Sequence, residues 1–200
     1  MLSSYGLNER KAFLLIRHAK TEENLQRRYA SELDVPLCDT GVKEAAALAQ
    51  SGVLPPVDAL FCAPALRCLK TAEILFPDIP VEICAFAEIN FGIFAGKSAD
   101  DLRHDNDYKK WLAANCTGDI SGGDSVTAFK QRSRAEFLRI AEINAKTAAL
   151  IIHGGNIMAI MESLAVPKKD FFEYRTPNCG FFLCRYENGA LRVQKSGGKL

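Results

Sequence analysis

Nowhere does this chain hold an apolar run close to the about 20 residues that a helix needs to cross a bilayer. No C-x-x-C pair occurs among its seven cysteines (Cys38, Cys62, Cys68, Cys84, Cys116, Cys179 and Cys184). Their odd number and scattered spacing fit neither a secreted disulfide framework nor a structural zinc site, so free thiols in a reducing cytosol are the expectation. Neither sign of charge prevails, with 25 Lys and Arg against 24 Asp and Glu and a net charge of +1. That balance leaves no clustered positive face for nucleic acid or a membrane surface, and any anion must be held by a local cluster. The polar start, Met1 to Arg10, lacks the basic-then-apolar pattern of a secretion signal, which makes the cytoplasm the expected location. There is no internal repeat, and only Ser196 to Leu200 reads as a flexible tail.

What is there is a chain of 200 residues, 48% apolar, enough for one well-filled core and read as a single domain, 1–200. Ala12 to Arg17 is a short continuous apolar run, the pattern of a strand buried on both faces of a parallel sheet. Thr40-Gly41 opens a helix through Gln50, Val57 to Cys62 is a second strand, and a Pro64-led helix runs to about Leu75. Val81 to Ala85 is a short third strand. Phe91 to Gly123 carries loop signals and one helix near Asp107 to Ala114, so it reads as a lid-like insertion over the sheet edge. Asp124 is expected to cap a long helix to about Asn144, followed by a strand at Ala148 to Ile152 and a helix at Gly155 to Leu164. Gly180 to Tyr186 and Ala190 to Gln194 flank Glu187-Asn188-Gly189 and predict a hairpin. The sum is an α/β fold with a mainly parallel sheet.

In such sheets ligands gather at the carboxyl ends of the strands. The first strand ends in Arg17-His18-Ala19-Lys20-Thr21-Glu22-Glu23-Asn24, the second is followed by Cys62 to Arg67, the third by Glu88, and the later buried strand by His153-Gly154-Gly155. Two of three histidines, two arginines and a carboxylate therefore converge on one edge. Arg17 and Arg67 offer planar, permanently charged donor forks for phosphate oxygens, and Asn24 adds a neutral donor. Gly154 and Gly155 let the backbone approach closely at a helix start, where amide donors favour an anion, and His153 would add a further donor. Taken singly, each has an ordinary reading: a histidine satisfying strand-end carbonyls, or Arg67 and Glu88 as solvated surface charges. Their convergence points to a phosphate-sized dianion.

At these residues the sequence resembles the histidine phosphatase superfamily, also called phosphoglycerate mutase-like. Arg17 to Asn24 is similar to its Arg-His-Gly-x-Thr-x-x-Asn signature with Ala19 in place of glycine. Asp34 to Leu37 with Thr40-Gly41, Ala63 to Ala72, Glu88 to Gly92, Gly122 to Ser125 and His153 to Gly155 resemble further family segments in order. The resemblance implies a three-layer α/β/α fold with a small lid at about 91–123. It also implies a phosphoryl group passed to His18 and then to water, with Glu88 as proton donor and acceptor. Arg17, Asn24, Arg67, His153 and Gly154 would hold the phosphate, with neither metal nor other cofactor.

The short chain, and Ile89-Asn90-Phe91-Gly92 after the acid where mutases carry Arg-His-Tyr, resemble the small phosphatases, including the α-ribazole phosphatase branch. The expected partner is a small phosphorylated metabolite. The alternatives are a phosphoglycerate mutase-type transferase and a catalytically idle binder of phosphorylated ligands. Departures at Ala19, Ser31, Phe94 and Ala95 are expected near the lid or pocket rim. Lys97, Arg103, His104, Lys109 and Lys110 read either as a solvated face or as contacts to a second anionic group.

Overall fold

The computed structural model describes residues 11–30 and 35–198. Met1 to Arg10, Ser31, Asp34 and the last two residues of the expected tail lie outside them.

Apolar runs build the sheet. β1 (Lys11–Arg17) buries Phe13, Leu14, Leu15 and Ile16 completely, and β4 (Thr147–Ile152) does the same from Ala148 onward, because both are sandwiched between helices. With β2 (Ala59–Cys62), β3 (Val81–Ile83), β5 (Phe181–Glu187) and β6 (Ala190–Gly197) they form a sheet of order β3-β2-β4-β1-β5-β6. The β3-β2, β2-β4 and β4-β1 pairings are parallel, and β5 and β6 join antiparallel. The expected mainly parallel sheet is present.

Helices cover both faces. On one side α2 (Asp39–Gln50) packs on α3 (Leu66–Leu75), and on the other α6 (Val126–Ala141) packs on α7 (Gly154–Leu164). Phe13 meets Phe137 of α6 edge-on at 4.9 Å, joining sheet to helix. The hairpin turns at Asn188 (φ 53°) and Gly189 (φ 76°), the left-handed pair that this dipeptide favours.

Two expectations need correction, and two short helices are added. α6 is capped by Ser125, whose hydroxyl accepts from the Ala128 amide, while the Asp124 carboxylate accepts from the Asn90 amide (2.8 Å) and from Arg132 (2.6 Å). Ser196 and Gly197 are no tail: they pair with Phe182 and Phe181 in the sheet. Short helices α1 (Glu22–Leu25) and α4 (Ala99–Leu102) were not foreseen, since one turn carries no apolar period. The helix expected near Asp107 is α5 (Asn106–Ala113).

Residues 91–123 contribute α4, α5 and a 3-10 turn, Gly92–Phe94. They close around a second apolar cluster of Ile89, Phe94, Leu102, Tyr108, Ile120, Val126 and Phe129. Phe94 is fully buried there against Tyr108 and Trp111, so it packs this segment internally and is absent from the pocket rim, as is Ala95.

Candidate functional site

Register brings the two histidines together. Parallel pairing sets Arg17 beside Ile152, so the next residues, His18 and His153, leave their strands side by side. The His18 amide donates to the Ile152 carbonyl at 3.0 Å, and the two rings meet edge-on at 5.4 Å. Cys62, paired with Ile151, leads into the turn that starts α3 and delivers Arg67 to the same place.

His18 is 3% exposed, and its Nδ1 lies 2.8 Å from the Ala19 carbonyl oxygen. A carbonyl can only accept, so Nδ1 carries the proton and Nε2 keeps its lone pair. Burial, reinforced by His153, Arg17 and Arg67, pushes the imidazole pKa well below its ordinary value. The ring is neutral. Ala19 is itself fixed by its amide donating to Thr71 Oγ1 at 2.9 Å, while that hydroxyl donates to the Arg67 carbonyl at 2.7 Å. The methyl of Ala19 is buried with Ala45 and Cys179, beneath the site rather than at its rim.

Arg67 is 2% exposed, and its Nη2 lies 3.3 Å from Nδ1 of His153. A guanidinium only donates, so His153 accepts there, and its neutral ring carries the proton on Nε2. Burial, Arg67 and Arg17 hold that ring well below the ordinary histidine pKa. His153 stands behind His18 and does not line the cavity, whereas Arg17, His18, Asn24, Arg67, Glu88 and Gly154 do.

Glu88 lines the same cavity, half-buried, its Oε1 accepting from the Ile89 amide at 3.0 Å. Burial raises its carboxyl pKa, against the lowering pull of that amide, of Arg17 and Arg67, and of the Gly155 amide. Arg132 holds the Glu88 backbone by donating to its carbonyl at 3.2 Å. A Cβ on Gly155 would lie 2.5 Å from Glu88 Oε1, so only glycine lets α7 start against the acid.

One segment went unnoticed in the sequence. Thr176 accepts from Arg17 Nη1 through its backbone carbonyl (2.8 Å), and Asn178 donates both to the His18 carbonyl (3.0 Å) and to Asn24 Oδ1 (2.9 Å). The Asn24 oxygen also takes the Thr21 amide at 3.2 Å, so its amino end is left for a ligand. A backbone carbonyl and a loop asparagine carry no recognisable pattern, although Thr-Pro-Asn has the composition of a turn. The Arg17 Nε is buried with no hydrogen-bond partner among the described residues, a donor awaiting an oxygen.

The cavity measures about 510 Å³. Beyond the charged end its walls are Tyr29, Phe91, Trp111, Phe171 and Phe172, with Arg28 and Arg175. Lys97, Arg103, His104, Lys109 and Lys110 are exposed and line none of it.

Chemically, one cavity combines a neutral imidazole, a carboxyl whose pKa burial raises, and two guanidinium groups. The family model described as histidine phosphatase superfamily (branch 1) matches residues 13–197. Phosphoserine phosphatase 1 of Hydrogenobacter thermophilus is 24% identical over 182 residues, covering 87% of this chain and 86% of that one. The α-ribazole phosphatase from Shigella flexneri has a similar structure, with TM-score 0.81, 20% identity, and coverage of 92% of this chain and 94% of that one. A phosphoglycerate mutase from Thermus thermophilus superposes with TM-score 0.73 at 26% identity, covering 94% and 99%.

Proposed function

Because this chain belongs to the histidine phosphatase superfamily, we propose that it hydrolyses the phosphate monoester of a small metabolite in two steps, through phosphohistidine on His18. The observation that carries this reading is the Nδ1 contact to the Ala19 carbonyl, which leaves Nε2 as the buried, unprotonated nucleophile.

In the first step the bond from Nε2 to phosphorus forms while the bond to the leaving oxygen breaks, and Glu88 gives that oxygen its proton. In the second, water attacks phosphorus, Glu88 takes the water's proton, the N–P bond breaks, and inorganic phosphate departs. Arg17, Asn24 and Arg67, with the Gly154 amide at the start of α7, offset charge on the three equatorial oxygens, while His153, expected from the sequence as a further donor, lies off the cavity and instead accepts from Arg67. Segment 91–123 acts as the lid over the leaving group.

Both guanidinium groups supply the compensation that a cation would bring, so no metal or other cofactor is needed. Turnover is expected to persist in excess chelator, and its loss with rescue by a divalent ion would overturn that part. No helix among the described residues is long and apolar enough to cross a membrane.

The Hydrogenobacter and Shigella relatives carry phosphatase names, which supports hydrolysis, while the Thermus structure keeps a mutase as the second reading. Acid-labile, alkali-stable label on His18 after quenching a labelled substrate is the expected result. A fully active His18→Ala variant would refute the mechanism. Label returned to a phosphoglycerate acceptor faster than free phosphate appears would select the mutase.

A further inference from the structure

The phosphate-facing groups share their cavity with an aromatic chamber: the rings of Tyr29, Phe91 and Trp111 contact one another, as do those of Phe171 and Phe172. A volume of about 510 Å³ lies in the range that holds a ligand of drug-like bulk, about 300–1,000 Å³, and is ample for more than a three-carbon phosphate. Aromatic walls favour a flat, largely apolar body, which they contact face or edge at little cost in side-chain freedom.

On the wall of this chamber stand two cations without a paired carboxylate among the described residues, Arg28 and Arg175, and Arg175 is the one whose donors are uncommitted. Arg175 is exposed, and among the described residues no carboxylate pairs with it. Its guanidinium lies 5.7 Å from the Phe172 ring centroid, a cation–π contact that leaves its N–H donors free. Chain geometry fixes its place: it follows the 3-10 turn Phe171–Tyr174 and precedes Thr176, the residue whose carbonyl secures Arg17. The charge of Arg175 is felt at Arg17, whose pKa it helps to lower, and at Tyr29 across the chamber. The other cation of the wall, Arg28, already donates to the Gly96 carbonyl and to Gln26.

We infer that the chamber selects phosphate monoesters whose alcohol part is a flat ring system bearing a second anionic group, carboxylate or phosphate, and that Arg175 recognises that second anion. This rests on the phosphatase reading above and adds the substrate class. A guanidinium beside an apolar wall discriminates because an anion gains charge-assisted hydrogen bonds that a neutral ring cannot offer.

The test compares initial rates on phenyl phosphate, 3- and 4-carboxyphenyl phosphate, their carbamoyl counterparts, benzene-1,4-diol bisphosphate and L-phosphoserine, for the natural chain and Arg175→Gln. Leaving-group electronics cancel in the ratio between the two proteins. The natural chain is expected to favour an anionic ring ester over its neutral counterpart. In Arg175→Gln that preference in kcat/KM falls about tenfold or more, mainly through KM. A response confined to the carboxylates or to the bisphosphate identifies the anion. An equal loss on every ester would place Arg175 with the transferred phosphate and overturn the inference, as would an unchanged preference. A preference of the natural chain for L-phosphoserine over every ring ester would overturn the flat-ring part. In each of these cases phenyl phosphate is still hydrolysed, so the phosphatase reading stands; hydrolysis of none of the esters would remove both.

Discussion

At the scale of single residues, the site depends on which nitrogen and which oxygen hold a proton. His18 works with its ring neutral, and its lowered pKa puts the acid limb of kcat/KM well below pH 6.5. As the proposed proton donor Glu88 has to react protonated, and its raised pKa would move the alkaline limb upward from the ordinary carboxyl range. Glu88→Gln is expected to lose that alkaline limb and to lower kcat by about 10²–10⁴ on an alkyl phosphate. The loss shrinks by at least about tenfold on 4-nitrophenyl phosphate, whose leaving oxygen needs little help from an acid. Equal losses on both esters would show that Glu88 is not the proton donor. Thr71 is a second point of leverage, because its hydroxyl is the acceptor for the buried Ala19 amide. Thr71→Val orphans that amide and is expected to cost about 1–3 kcal/mol in urea unfolding; an unchanged midpoint would refute the assigned bond.

At the scale of elements, the sequence was readable where a run of side chains has to satisfy a face. β1, β2, β4 and the hairpin are all foreshadowed, since strands buried on both faces have to be continuously apolar and an Asn-Gly turn needs left-handed backbone. The meeting of Arg17, His18, Arg67 and Glu88 in one cavity was readable too, because polar residues at strand ends stand out against such runs, as was Gly154 from its glycine pair at a helix start. What was illegible is the loop after α7, whose Thr176 carbonyl and Asn178 side chain hold the cradle, because contacts across about 160 positions leave no periodic trace. The origin of the chamber was equally hidden, since the lid cations singled out in the sequence line none of it and Arg175 sits where no pattern marks it. The start of α7 offers a test at this scale. An alanine at Gly155 would place its Cβ 2.5 Å from Glu88 Oε1 and 3.0 Å from Phe129 Cζ, so acid and helix have to separate. Gly155→Ala is expected to reduce kcat about 10²-fold, as for a displacement near 1 Å, while circular dichroism stays that of the natural chain. Undiminished turnover would mean that the acid does not need this close approach.

For the molecule as a whole, concentrating two neutral histidines among guanidinium groups links stability to pH. Both His18 and His153 are nearly fully buried with pKa values well below 6.5 in the fold, against about 6.5 in the unfolded chain. Above pH 6.5 neither state binds protons at these rings, and they contribute no pH dependence. As pH falls below 6.5 the unfolded chain takes up two protons that the fold refuses, so stability falls by up to about 1.4 kcal/mol per unit for each ring. Glu88 acts in the opposite sense: its raised pKa means that the fold keeps a proton longer, and stability declines as pH rises from about 4.5 toward its folded value. Its single proton only partly offsets two histidines. Urea midpoints are therefore expected to be flat from pH 8 to 7 and to fall between pH 6.5 and 5, and the fall should be largely absent in a His18→Gln, His153→Gln double variant. A slope that survives in that variant would place the acid sensitivity outside the site. Its loss would show that the arrangement which keeps the nucleophile unprotonated also sets the acid limit of the fold.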